Sequence, residues 1–147
     1  LFKYQAKNND CITITDDRMT RFVMTLDESV KLIIDAINIA KSGEILIPKL
    51  KAMKIKDLAQ IYANISKKPV KTIGIRPGEK IDEKLICKAE SLRVKNIGEY
   101  YLLRPAHEKI EDGNVNIFDY TSSDDILTAD SLSKYLDSLG QKKQRLI

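Results

Sequence analysis

TLDESVKLIIDAINIAKSGEILIP, residues 25–48, changes its hydrophobic period part-way along. Thr25 and Glu28 stand at the spacing of a capping box, in which each side chain satisfies a backbone N–H at a helix start. Leu26, Val30, Ile33, Ile34 and Ile37 then recur at helical spacing and make one broad apolar stripe. Lys41 and Gly43 end that helix, and EILIP follows as a short buried strand stopped by Pro48. A helix passing directly into a strand sets the expectation for the whole chain, a small α/β layer.

The flanking sequence continues the alternation. CITIT (residues 11–15) alternates as a strand does, DDR turns, and MTRFVM (residues 19–24) is short, β-branched and aromatic. A second helix is predicted over residues 55–65, with Leu58, Ala59 and Tyr62 inward, and VKTIGI (residues 70–75) as a strand. Leu85, Ile86, Ala89 and Leu92 predict a third helix over residues 82–93. YYLLR lies in a strand within residues 97–104, and residues 105–125 are polar and turn-rich, with one short strand at most. Thr128 caps a last helix carrying Leu132, Tyr135, Leu136 and Leu139.

The chain has 147 residues and a net charge of +4 from 25 basic and 21 acidic residues, interspersed rather than gathered into a nucleic-acid-binding stripe. The basic tail with Lys142, Lys143 and Arg145 reads as a frayed, solvated end. Two cysteines, Cys11 and Cys87, and one histidine, His107, cannot assemble a structural zinc set or a CxxC pair. No metal site is expected, the cysteines read as buried fillers, and His107 reads as exposed. Apolar runs reach only four or five residues, so no membrane span is read and a cytoplasmic setting is expected. Glycines are scattered singly, with no GxGxxG and no Gly-Lys-Ser/Thr loop. The opening LFKYQAKNND lacks Met and reads as the middle of an amphipathic helix, so a piece of a longer protein is expected.

TIGIRPGEK, residues 72–80, carries the chemistry. Pro77 and Gly78 are the central residues that a type II turn requires, because Pro fixes φ and Gly accepts a positive one. The turn presents Arg76, a fork of fixed N–H donors, beside Glu79, an acceptor. The pair reads either as a surface ion bridge worth about 0–1 kcal/mol, or as a grip on a ligand carrying phosphate and hydroxyl groups. Hydroxyls at Tyr120–Ser123 could reach a ligand or cap a turn, and the turn is the favoured reading.

DDRMTRFVMTLDESVKLIIDA, GEILIPKLKAMKIKDLA and GIRPGEKIDEKLI, taken in order and at this spacing, resemble the carboxy-terminal, substrate-binding part of nucleotide-sugar dehydratases. These are the inverting UDP-N-acetylglucosamine 4,6-dehydratases and their capsular polysaccharide relatives, in the extended short-chain dehydrogenase/reductase superfamily. The likeness covers about residues 1–95, while EYYLL, FDYTSSDD and the closing helix are similar to the tail of the capsule branch. It implies a nucleotide-sugar-binding core over residues 1–95 and a carboxy-terminal extension over residues 96–147. It also implies a parent lyase acting in surface polysaccharide synthesis, which oxidises the sugar at C4, eliminates water across C5 and C6, and returns the hydride.

NAD(P) and the Tyr-x-x-x-Lys pair would belong to an amino-terminal Rossmann half that is absent here. This piece would have no catalytic residue and no cofactor of its own, and would bind UDP weakly. Its partners would be the UDP-sugar and its own Rossmann domain, in a parent that is a homo-oligomer. By the same resemblance Arg21 and Arg76 contact the diphosphate, and Glu79 accepts from ribose hydroxyls. Ile12, Thr13 and Ile14 would flank the uracil with backbone amides and apolar walls, with help from Phe2. The matching part of a UDP-sugar 4-epimerase, or an autonomous binding module, are the alternatives.

Overall fold

The computed structural model describes residues 1–107 and 116–144. In chain order the elements are α1 (Phe2–Asn8), β1 (Ile12–Ile14), β2 (Thr20–Phe22), α2 (Leu26–Ile39), β3 (Ile45–Pro48), β4 (Ala52–Lys54) and α3 (Ile55–Ser66). They continue as β5 (Val70–Thr72), β6 (Lys84–Ile86), α4 (Lys88–Ser91), β7 (Val94–Ile97), β8 (Tyr100–Leu103), β9 (Tyr120–Thr121) and α5 (Ala129–Gln144). The fold is α/β, with its strands divided among small sheets: β1–β5, β2–β4, β3–β8–β7 and β6–β9.

The parallel pair β1–β5 brings Ile12 opposite Val70 and Ile14 opposite Thr72, with α3 packed against it. Ala59 and Ala63 let the helix approach closely, and with Ile12 and Ile14 they form one core cluster. A second cluster joins Ile47, Ile86, Leu103 and Tyr120 from four different strands. Tyr120 is buried yet satisfied: its hydroxyl accepts from the Leu50 N–H at 2.6 Å and donates to the Leu50 carbonyl at 3.1 Å. Burial pushes its phenol pKa up.

The capping box forms, Thr25 Oγ1 accepting from Glu28 N–H at 3.0 Å and the Glu28 carboxylate accepting from Thr25 N–H at 2.6 Å. Thr128 Oγ1 likewise accepts from the Ser131 N–H at the start of α5. The tail expected to fray is helical in backbone as far as Gln144, and residues 145–147 lie outside the described residues. So does the 108–115 part of the polar excursion.

Three readings need correction. Residues 82–93 are not one helix: β6 and the short α4 replace it. Ile86 is fully buried while Leu85 is 37% exposed, an alternation that belongs to a strand. The Glu90 carboxylate caps the Cys87 N–H at 2.8 Å, which delays the helix start to Lys88. Both cysteines are free and half-buried rather than core fillers. Finally, β7 is an additional strand, joined to β8 through Gly98 and Glu99. Gly98 has φ of +72° and Glu99 does not share the positive sign, the pattern of a type II′ hairpin.

The boundary expected between residues 95 and 96 falls inside β7. Pairs β3–β8 and β6–β9 join the two segments, and the second core cluster draws on both.

Candidate functional site

The Pro77–Gly78 turn closes as its residues dictate, with Gly78 at φ +84° and the Glu79 N–H donating to the Arg76 carbonyl at 3.1 Å. Glu79 does not pair with the Arg76 guanidinium. Its carboxylate instead accepts from the Arg76 backbone N–H at 3.0 Å, locking the turn from inside. Arg76 is exposed and, among the described residues, its guanidinium has no partner.

Arg21 comes from the middle of β2 and reaches the arm that follows the turn, residues 80–83, which bends at Ile81 and Asp82. Nη1 donates to the Thr20 carbonyl at 2.6 Å and to the Ile81 carbonyl at 3.1 Å, and Nη2 donates to the Lys80 carbonyl at 3.0 Å. Nε lies 3.4 Å from the Glu83 carboxylate. Arg21 therefore braces the arm, with a side chain still 28% exposed. Arg21 thus meets Lys80, Ile81 and Glu83, the residues just after the turn.

The β1 residues sit on the other side of this arrangement. Ile14 accepts from the Ile73 N–H at 2.9 Å, so β1 lies beside the chain that leads to the turn. Ile12 and Ile14 point into the core, 0% and 3% exposed. Thr13 is clamped by Gln5, which donates from Nε2 to its hydroxyl at 2.7 Å and accepts from its N–H at 3.2 Å. Phe2 packs towards Tyr62, ring centroids 6.5 Å apart. The turn follows the carboxyl end of the two-stranded parallel pair β1–β5.

Sequence reasoning missed the hydroxyl chain beneath the arm. Thr20 Oγ1 lies 2.7 Å from Asp82 Oδ1 and 2.6 Å from Ser122 Oγ, which also accepts from the Glu83 N–H at 2.9 Å. The signal was present in the Thr of MTRF and the TSSDD run, but only the fold joins them. Turn capping, the favoured reading of the Tyr120–Ser123 hydroxyls, does not describe Ser122 or Tyr120: Ser122 reaches Thr20 and Glu83, and Tyr120 reaches Leu50. A groove of about 420 Å³ elsewhere is lined by Lys31, Pro48, Lys49, Leu50, Glu99 and Tyr100, among others. Within it Lys31 bonds Asp35 at 2.6 Å and the Tyr100 hydroxyl at 3.0 Å, while Tyr100 donates to Asp35. The Lys31 hydrogen bond first, then that of Tyr100, holds the Asp35 carboxyl below its usual range. Arg21, Arg76 and Glu79 line neither this groove nor the apolar one beside α5.

A profile of the family described as "Polysaccharide biosynthesis protein" matches residues 1–105. The chain belongs to this family. Among its relatives is the inverting UDP-N-acetylglucosamine 4,6-dehydratase of Campylobacter jejuni, 39% identical over 104 residues, covering 70% of this chain and 30% of that protein. The UDP-glucose 4-epimerase of Rickettsia bellii is 39% identical over 103 residues, covering 69% of this chain and 30% of the epimerase. An uncharacterized membrane protein of Methanocaldococcus jannaschii is 37% identical over 125 residues, 79% of this chain and 37% of that one.

The solved structure of Pen from Bacillus thuringiensis superposes with a TM-score of 0.81 at 29% identity, covering 96% of this chain and 44% of Pen. This member of the polysaccharide biosynthesis family thus spans about a third of the length of the curated relatives it matches. The resemblance to nucleotide-sugar dehydratases holds, and enzymes named as epimerases stand at equal identity. Among the described residues no helix is long and apolar enough to cross a membrane.

Proposed function

We propose that this chain forms the nucleotide-holding part of a UDP-sugar 4,6-dehydratase of polysaccharide biosynthesis. The observation that carries the reading is the Arg76 guanidinium, without a partner among the described residues, on a turn that its own Glu79 locks and that runs into an arm braced by Arg21. A guanidinium can make charge-assisted, often bidentate bonds to a diphosphate. Glu79 Oε2 serves the turn, which leaves its other oxygen to accept from ribose hydroxyls. The backbone amides expected to face the base are not free at Ile12 and Thr13, whose N–H groups are held by Pro69 and Gln5, and Ile12 and Ile14 are core residues, so any contact with the base would fall to rim atoms.

The redox chemistry of such an enzyme needs NAD(P), and this chain's residues do not fit a dinucleotide. After β1 comes Asp16-Asp17-Arg18 rather than a glycine-rich turn into a helix. No hydride or elimination step is therefore assigned to any residue here. A UDP-sugar 4-epimerase is the second reading, favoured by the identity to the Rickettsia enzyme. Both use the same grip on the nucleotide.

Calorimetric titration tests the proposal. UDP should bind saturably, with a dissociation constant on the order of 1 mM, and uridine, lacking phosphates, should bind more weakly. Uridine and UDP giving the same heats would remove the diphosphate reading.

The partner of this part would be the enzyme's Rossmann half, docked on α2. Leu26, Val30, Ile33, Ile34 and Ile37 form the predicted stripe but are 79%, 49%, 58%, 54% and 77% exposed. Leu1 and Tyr4 are also exposed, whereas Phe2 is partly packed, so the larger apolar face lies on α2. The double variant Ile33→Glu/Ile37→Glu should change the stability of the 147-residue chain by no more than about 0.5 kcal/mol. Loss of folding would mean that this face is packed within the chain, and dissociation of a dimer in sedimentation would assign it to a second copy.

A further inference from the structure

We infer that Ser122, from a segment beyond the family-matched residues 1–105, is a positioning residue for the Arg76–Glu79 turn, acting with Thr20. The inference rests on the nucleotide-holding role proposed for that turn. Ser122 is 0% exposed and Thr20 is 3% exposed. A Thr hydroxyl has one proton, and the Asp82 carboxylate at 2.7 Å can only accept it when ionised. Ser122 must then donate to Thr20 across 2.6 Å, while its own oxygen accepts from the Glu83 N–H. The result is a directed chain, Glu83 N–H to Ser122 to Thr20 to Asp82, in which each bond polarises the next.

The chain is doubled by backbone pairing. The Ser122 N–H donates to the Glu83 carbonyl at 2.8 Å, and the Thr20 N–H donates to the Ile81 carbonyl at 2.9 Å. Together with the bonds from Arg21 to the Lys80 and Ile81 carbonyls, every residue from 80 to 83 is tied down immediately after the turn. The arm follows the turn directly, so it fixes the backbone from which the Arg76 side chain extends. Misplacing a binding group by about 1 Å can cost up to a hundredfold.

The test uses Ser122→Ala, the isosteric Thr20→Val and the hydroxyl-retaining Thr20→Ser. UDP affinity is measured well below the unfolding temperature, and amide hydrogen exchange is followed in the same proteins. Ser122→Ala and Thr20→Val should each weaken UDP roughly three- to tenfold, and Thr20→Ser should restore affinity to within about twofold. The Arg76, Glu79 and Glu83 amides should exchange faster in the two weakened variants, with α3 amides unchanged.

Folded variants with wild-type affinity and wild-type exchange at the turn would overturn the inference, reducing the hydroxyls to a structural brace. If the wild-type chain binds no UDP, the proposed function fails separately, and the exchange data alone decide. Faster exchange at Arg76 and Glu79 upholds the positioning role, and unchanged exchange ends it. Should Ser122→Ala not fold, the Thr20 pair gives the same comparison.

Discussion

Arg76→Ala is expected to weaken UDP binding on the order of 10- to 100-fold while leaving the unfolding midpoint where it is. The two halves of that result have different causes. Hydrogen bonds to charged groups contribute about 1.5–3 kcal/mol, which sets the loss of affinity. Stability is untouched because the Arg76 guanidinium is exposed and, among the described residues, has no hydrogen bond or ion pair to lose. Arg21→Ala should behave differently and lower both quantities, since that side chain holds three backbone carbonyls of the arm and its own strand. Calorimetric titration beside thermal unfolding separates the two. Equal affinity for wild type and Arg76→Ala would remove the turn from the site.

Ile86→Ala should destabilise the chain by about 2–5 kcal/mol, read as a lower midpoint in urea with an unchanged slope. Ile86 is fully buried in one cluster with Ile47, Leu103 and Tyr120. That is a large share of the roughly 5–15 kcal/mol that holds a typical domain together. Leu85→Ala is the control, and with 37% exposure it should cost far less. If residues 82–93 were the helix that their spacing predicts, Leu85 and Ile86 would both face inward and both variants would be costly. Comparable losses would therefore contradict β6.

What the sequence reveals and what it hides follow one physical division. Local chemistry is legible: the Thr25–Glu28 box needs only residues three apart, and the Pro77–Gly78 turn only adjacent ones. Pairing across long separations is not. Leu85, Ile86, Ala89 and Leu92 satisfy a helical period as well as a strand, and the choice is made by β9, which lies far along the chain and bonds β6. The α2 stripe is equally instructive. Its period announces an apolar face, but the spacing of apolar residues cannot say whether the covering surface belongs to the same chain.

The site divides in the same way. Arg21 and Arg76 can be picked out by motif, yet nothing in MTRF indicates that most of the Arg21 donors face backbone carbonyls. Glu79 stands where an acceptor for ribose was expected and is also the lock on its own turn. Ser122 could not be joined to Thr20 without the fold, because the contact depends on β9 lying along β6.

A titration of UDP into the ¹⁵N-labelled 147-residue chain, followed by amide spectra, tests the central claim most directly. The account predicts saturable shifts concentrated at Arg21, Arg76, Glu79 and the arm through Glu83. Shifts confined to the groove around Lys31 and Tyr100, or no shifts at all, would contradict it.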